Sequence, residues 1–381
     1  MTSRERVVAA LNHHEPDRVP VDIGGGSSTS ISVEANERLK RHLGVEESSA
    51  ELSTLFRVAA LDEKVMQRLG SDCRPLRSKS PQRWSPPPSE PGTCVDIWGV
   101  TRKLQKFGES GYYWEMVRNP LADATVADLN HYPWPDPLDP GFTAGLRAEA
   151  EALFANTGYA VEASCGFSSF WELACYLRGL EQLLMDLVVN RRFVEALMEK
   201  LAEINLAATE RFLKEAGSYI QILRTNDDLA TQGGLMMSLD MYRTRIKPYH
   251  RRYSDFVKSH TSAAIVYHSC GNVTDLIDDL VEIGVDAINP VQVSAMPDTA
   301  KLKSRFGGKI TFWGGIDTQR VLPFGSVGDV TVEVRRRIHD LAPGGGFVLS
   351  AVHCIQPDVP PENILAMADA AKRYGIYPIS C

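Results

Sequence analysis

A chain of 381 residues with 44% hydrophobic and 23% charged side chains can bury a large core, and its formal net charge of -7 offers no basic surface to nucleic acid or anionic membranes. No apolar run approaches the roughly 18 residues of a membrane span, and Met1-Thr-Ser-Arg-Glu-Arg-Val-Val lacks the pattern of a secretion signal, so a cytoplasmic protein is expected. Seven scattered cysteines, an odd number in a chain large enough to fold unstapled, argue against a disulfide framework and leave reduced thiols as candidate ligands.

Residues 2–12 are apolar on one helical face, and His13-His-Glu-Pro stops that helix before a short strand-like segment, residues 19–23, that runs into Gly24-Gly-Gly26. Helical spacing recurs over residues 33–43 and 55–69, and a second strand is predicted at 72–77. The Ser/Pro-rich stretch 78–92 reads as a loop. Residues 93–117 alternate like a β-hairpin excursion with a turn at Gly108-Glu-Ser-Gly111. Beyond the proline-rich 132–140, apolar strands at 159–163, 219–224, 264–267, 287–291, 310–313 and 347–352 alternate with helical stretches. Such alternation means βα units on a parallel sheet, and eight strands predict an α/β fold: one (β/α)₈ TIM barrel spanning 1–381 behind an N-terminal helix.

In such barrels the chemistry sits just past the strand ends. His268 and Cys270 lie there two residues apart, so in extended chain both side chains face one way. That is half of a soft metal site, for which zinc is the usual guest. His353 and Cys354 close another strand; being adjacent, they face opposite ways, and only one can join. Other strand ends supply Asp22, Asn226, Gln292 and Trp313 as candidate substrate contacts, and Asp227 and Asp317 as candidate catalytic groups. For the two aspartates the competing reading is a helix or turn cap. Gly24-Gly-Gly-Ser-Ser-Thr lacks the lysine and spacing of a phosphate loop.

Arg4-Glu-Arg-Val-Val-Ala-Ala-Leu-Asn12 with Asp17-Arg-Val-Pro-Val21, His268-x-Cys270-Gly-Asn, Asn289-Pro-Val-Gln292, Phe312-Trp-Gly-Gly-Ile-Asp-Thr-Gln319 and Pro357-x-x-Pro-Pro-Glu-Asn363 together resemble the uroporphyrinogen decarboxylase-like superfamily, over nearly the whole chain. The H-x-C motif is most similar to its zinc-dependent, corrinoid-linked methyltransferases. The decarboxylases carry an arginine-rich M-R-Q-A-G-R-like segment after the first strand, whereas this chain has Asp22-Ile-Gly-Gly-Gly-Ser-Ser. The methyltransferases add a later cysteine to H-x-C; counting back from Pro357 points to His353, while residue type favours Cys354.

The resemblance implies a zinc enzyme moving a methyl group between a small methyl ether, thioether or amine, or a thiol acceptor, and a cobalamin-type corrinoid carried by a partner protein, since the chain shows no D-x-H-x-x-G motif. A homodimer is an admissible assembly. Two alternatives remain: decarboxylation or a zinc-assisted lyase step on a carboxylate, and a non-catalytic barrel that binds a corrinoid or tetrapyrrole.

Overall fold

The structure, a computed structural model, describes residues 1–45, 50–53, 56–107 and 111–379. Its centre is a curled sheet of seven parallel strands, each hydrogen-bonded to the next in chain order. They are β1 (Cys73–Arg77), β2 (Ala160–Ser164), β3 (Ile222–Asn226), β4 (Ala264–His268), β5 (Ala287–Val291), β6 (Thr311–Ile316) and β7 (Phe347–Ala351). They are largely buried apolar runs, as strands covered on both faces must be, and helices such as Arg191–Ala216 and Val327–Leu341 connect them.

The expected eighth strand, residues 19–23, is corrected to a single parallel bridge, Val21 to Leu349. Pro20 has no N–H to give, and Gly24, at φ 102°, turns the chain away. The segment still touches both edges of the sheet. Asp22 N–H donates to Leu349 O and Leu349 N–H to Pro20 O, both at 2.9 Å, and Asp72 N–H donates to Val21 O at 2.7 Å.

Helix α1 (Ser3–Leu11) starts at a capping box between Thr2 and Glu5. Its Val7, Ala10 and Leu11 plug one end of the sheet interior against Cys73, Ala160, Ile222, Val266, Ala287, Trp313 and Val348, one residue from each strand. Strand parity then decides what lies above the plug: two residues further along come Glu162, Arg224, His268 and Asn289.

The excursion is a three-stranded antiparallel sheet, Thr93–Val95, Thr101–Phe107 and Gly111–Arg118; most of its expected turn, 108–110, lies outside the described residues. Helix 33–43 stands as expected. The periodicity over 55–69 resolves instead into a strand, Val58–Ala60, paired with Ala50–Ser53, and a shorter helix, Glu63–Leu69.

Candidate metal centre and its cavity

At the C-terminal ends of the strands lies a cavity of about 340 Å³, lined in part by Arg77, Glu162, Glu172, Asp228, His268 and His353. His268 ends β4 and Cys270 follows it; His353 stands two residues beyond β7. Their ligand atoms lie within 4.8 Å of one another, with His268 Nε2 and Cys270 Sγ 3.5 Å apart. Zinc–nitrogen and zinc–sulfur bonds of about 2.0 and 2.3 Å at a tetrahedral angle put two such ligands about 3.5 Å apart. Cys354 is outside the group: it is buried, its Sγ faces Ile355 O at 3.8 Å, and burial pushes its thiol up to about 12.

The group is held from behind. His268 Nδ1 donates to Asn289 Oδ1 at 2.7 Å, which leaves the Nε2 lone pair facing the cysteine and His353. Asn289 Oδ1 also accepts from the Ser28 hydroxyl at 3.2 Å. The turn after Cys270 is pinned on both sides, Cys270 N–H donating to Asp228 Oδ1 at 2.8 Å and Gly271 N–H to Gln292 Oε1 at 2.7 Å. Gly271 has φ 89°, and a Cβ there would overlap the carbonyl oxygens of Ala230 and Thr231.

Burial lowers both imidazoles, His353 to about 4 with His268 adding to the effect, so both are neutral donors at pH 7. Burial first, and then Asp228 and Glu172, push the Cys270 thiol well up. Without a nearby cation the thiol stays protonated; a divalent ion is the counter-charge that a thiolate needs here. Two neutral nitrogens and one sulfur therefore fit a metal ion.

The structure places both candidate catalytic aspartates at caps. The buried Asp227 carboxylate accepts from the N–H groups of Phe170, Trp171 and Glu172, opening helix α2 (Trp171–Arg178), from Ser169 Oγ at 2.6 Å, and pairs with His250 Nε2 at 2.7 Å. Nothing of it is left for substrate or for His268, which Asn289 orients instead. Asp227→Ala is expected to lower the unfolding free energy by about 3 kcal/mol in urea titrations; a loss under about 1 kcal/mol would show that these bonds matter little. Asp317 accepts from Gln319 N–H at 2.7 Å and Arg320 N–H at 3.3 Å, a turn cap.

Of the candidate substrate contacts, Asn226 lines the cavity and donates to Glu172 Oε2 at 2.8 Å. Gln292 lines a second hollow on the other side of Cys270 and His353. Asp22 and Trp313 lie fully buried beside the cavity, where Trp313 Nε1 donates to Asp22 Oδ2 at 3.0 Å.

The residues not anticipated are Arg77, Glu162, Glu172 and Arg224. Glu162 and Arg224 announce themselves as charges inside apolar strands, at the inward parity of Ala160 and Ile222. Glu172 is raised to about 7, by burial and then by Asp228, and its carboxylate accepts from Tyr176 and Asn226. A carboxyl raised on folding stabilises the fold fully below its unfolded value near 4.5 and loses that contribution as pH climbs through about 7. Glu172→Gln should therefore flatten part of the decline in urea midpoint between pH 5 and 8; an unchanged profile would refute the shift.

A family model described as uroporphyrinogen decarboxylase (URO-D) matches residues 115–374, more than half of the chain. The chain belongs to that family. A uroporphyrinogen decarboxylase of Legionella pneumophila is 24% identical over 212 residues, covering 54% of this chain and 57% of the relative. One of Pseudoalteromonas translucida is 22% identical over 273 residues, covering 70% and 74%. The match thus spans little more than half the length of the first of these relatives. Among solved structures, a methyltransferase from Methanosarcina mazei superposes with a TM-score of 0.65 over 98% of this chain and 99% of its own, at 17% identity, a likeness of fold. No helix among the described residues is long and apolar enough to cross a membrane.

Proposed function

We propose that this protein is a zinc-dependent methyltransferase that passes a methyl group between a small substrate and a corrinoid held by a partner protein. The observation that carries the reading is the His268, Cys270 and His353 group beside the cavity, with His268 fixed by Asn289. Mixed nitrogen and sulfur donors favour zinc. When bound, zinc would supply Lewis acidity to a substrate heteroatom or hold an acceptor thiol deprotonated. Three protein ligands would leave such an ion able to take a substrate atom as well.

The chain's own residues do the remaining work. Asn289 keeps the His268 proton on Nδ1, and Asp228 and Gln292 hold Cys270 in place. Glu172, facing the same cavity, retains a proton to about pH 7 and can hand it from its carboxyl to a departing oxygen or nitrogen. We also read residues 19–23 as the eighth position of a (β/α)₈ barrel, closing the sheet between β7 and β1.

Decarboxylation of a carboxylate is the second reading, favoured by the names of the relatives. Against it, Gly24-Gly-Gly-Ser-Ser stands where the decarboxylases this sequence resembles carry arginines. The test is transfer from methyl ethers, thioethers and methylamines to reduced cobalamin, followed by the cobalt spectrum. Zinc-loaded wild type should turn over, and His268→Ala should lose at least about 100-fold. Carbon dioxide release that needs no corrinoid would select the decarboxylase. Corrinoid binding without turnover, unchanged in Cys270→Ala, would select a carrier.

A further inference from the structure

The cavity holds a cation with no partner. Arg77, at the inward end of β1, lines it with its Nε buried and unbonded, and makes no ion pair or side-chain hydrogen bond among the described residues. Of the other charged groups lining the cavity, Glu162 is paired with Arg224, whereas the Glu172 and Asp228 carboxyls have no arginine or lysine partner among the described residues. Arg224 bonds Glu162 through Nε and Asp22 through Nη2 at 3.1 Å, so this arginine is shared by two carboxylates. Asp22 is itself raised to about 7, by burial and then by Glu162, so that part of its charge is held as the acid. Arg77 feels Glu162 and Arg224 in opposite senses, and burial pushes it down to about 10. It therefore remains charged at neutral pH, in a pocket where an unpaired charge is costly.

Among the described residues two further buried atoms around the same cavity lack partners, Arg224 Nη1 and Glu162 Oε2. The Arg77 guanidinium and Arg224 Nη1 are left as donors and Glu162 Oε2 as an acceptor, the complement of a carboxylate that brings a hydroxyl or water with it. Val58 and Ala163 give apolar wall beside them. Arg77 is on β1 and His268 on β4, three strands along and two residues further up the sheet by register, so at about 4.8 Å per strand and about 3.3 Å per residue no more than about 16 Å of sheet separates the two positions. A volume of about 340 Å³ is small for a ligand site, at the low end of the usual range of roughly 300–1,000 Å³.

We propose that Arg77, assisted by Arg224 Nη1, binds the carboxylate of a small organic acid whose other end carries the methylated heteroatom toward His268, Cys270 and His353. The donor end of this proposal rests on the methyltransferase reading; the anion site does not. An acid of one aromatic ring fits both the span and the volume. A neutral ether of the same shape leaves Arg77 unpaired in the cavity, and is rejected for that reason.

The test is calorimetric titration of zinc-loaded, full-length protein with 4-methoxybenzoate and with its neutral analogue 4-methoxybenzamide. Wild type should bind the acid at least tenfold more tightly than the amide. Arg77→Gln should abolish the preference, Arg77→Lys should keep part of it, and metal-stripped wild type should keep it. Thermal unfolding of the variants establishes that they fold. Equal affinities, a preference that survives Arg77→Gln, or no saturable binding of the acid would each overturn the proposal. If Arg77-dependent binding holds while no methyl reaches cobalt, the methyltransferase reading fails and the anion site stands. If methyl moves as fast from the neutral ether as from the acid, the anion site fails and the methyltransferase stands.

Discussion

Alanine at His268, Cys270 or His353 is expected to strip the protein of zinc, from about one ion per chain to almost none, whereas Cys354→Ala keeps its full content. The asymmetry follows from geometry: the first three side chains converge within 4.8 Å, while the Cys354 thiol is packed toward Ile355. Losing one of three protein ligands leaves two, too few to hold an ion against a chelating buffer. Asn289→Ala should fall between, weakening zinc by about 10- to 100-fold, because His268 loses the acceptor that fixes its tautomer and ring plane. Elemental analysis of protein purified without chelator, then reconstituted with zinc, reads all five variants. A wild type that stays metal-free, or a loss on Cys354→Ala with none on His353→Ala, would refute the centre. Because the thiol must give up its proton to bind, affinity should rise with pH.

How much of this was legible depends on which physical signal each residue sends. Strands buried on both faces read as continuous apolar runs, and six of the seven in the sheet were visible for that reason, while β1, Cys73-Arg-Pro-Leu-Arg77, was marked off only by the helical pattern before it. The strand ends were not visible: β3 runs on through Thr225 and Asn226, polar residues that look like loop, of which Asn226 reaches Glu172 in the cavity and Thr225 Oγ1 donates to Ser168 O. The pair His268 and Cys270 was legible because a spacing of two survives any strand geometry. Adjacent pairs were harder. His353 and Cys354, like Asp227 and Asp228, differ only in parity, and parity turns on where a strand stops. Asp227 faces the N-terminus of α2, and its neighbour Asp228 faces the cavity. Glu162 and Arg224 went unread because a charge in a strand is ordinarily taken for a solvated face; in a sheet covered on both sides there is no such face, and a charge must meet another.

That last pair sets the second large effect. Arg224→Ala is expected to cost about 3–5 kcal/mol of stability at neutral pH, the range for removing one partner of a buried ion pair. The Asp22 and Glu162 side chains are 0% and 1% exposed, and Arg224 is bonded to both. The Gly25-Gly26 backbone lies against this network so closely that a Cβ on either residue would overlap Glu162, which is why the turn is built of glycine and cannot move in to fill the gap. Without the guanidinium the two carboxylates face each other, and Asp22, already raised to about 7, is driven further toward its acid form. Carboxyls raised in the fold contribute stability that is present at low pH and lost as pH rises, so the deficit of Arg224→Ala should be smaller at pH 5.5 than at pH 8. Adding Asp22→Asn and Glu162→Gln to Arg224→Met removes all three charges and should recover much of the loss, because a buried ion pair is worth little against neutral groups of similar shape. Urea unfolding of the single and triple variants at both pH values separates charge from packing. A deficit independent of pH and undiminished in the triple variant would mean that Arg224 acts by filling space, above all through its contact with the Trp313 ring at 5.2 Å.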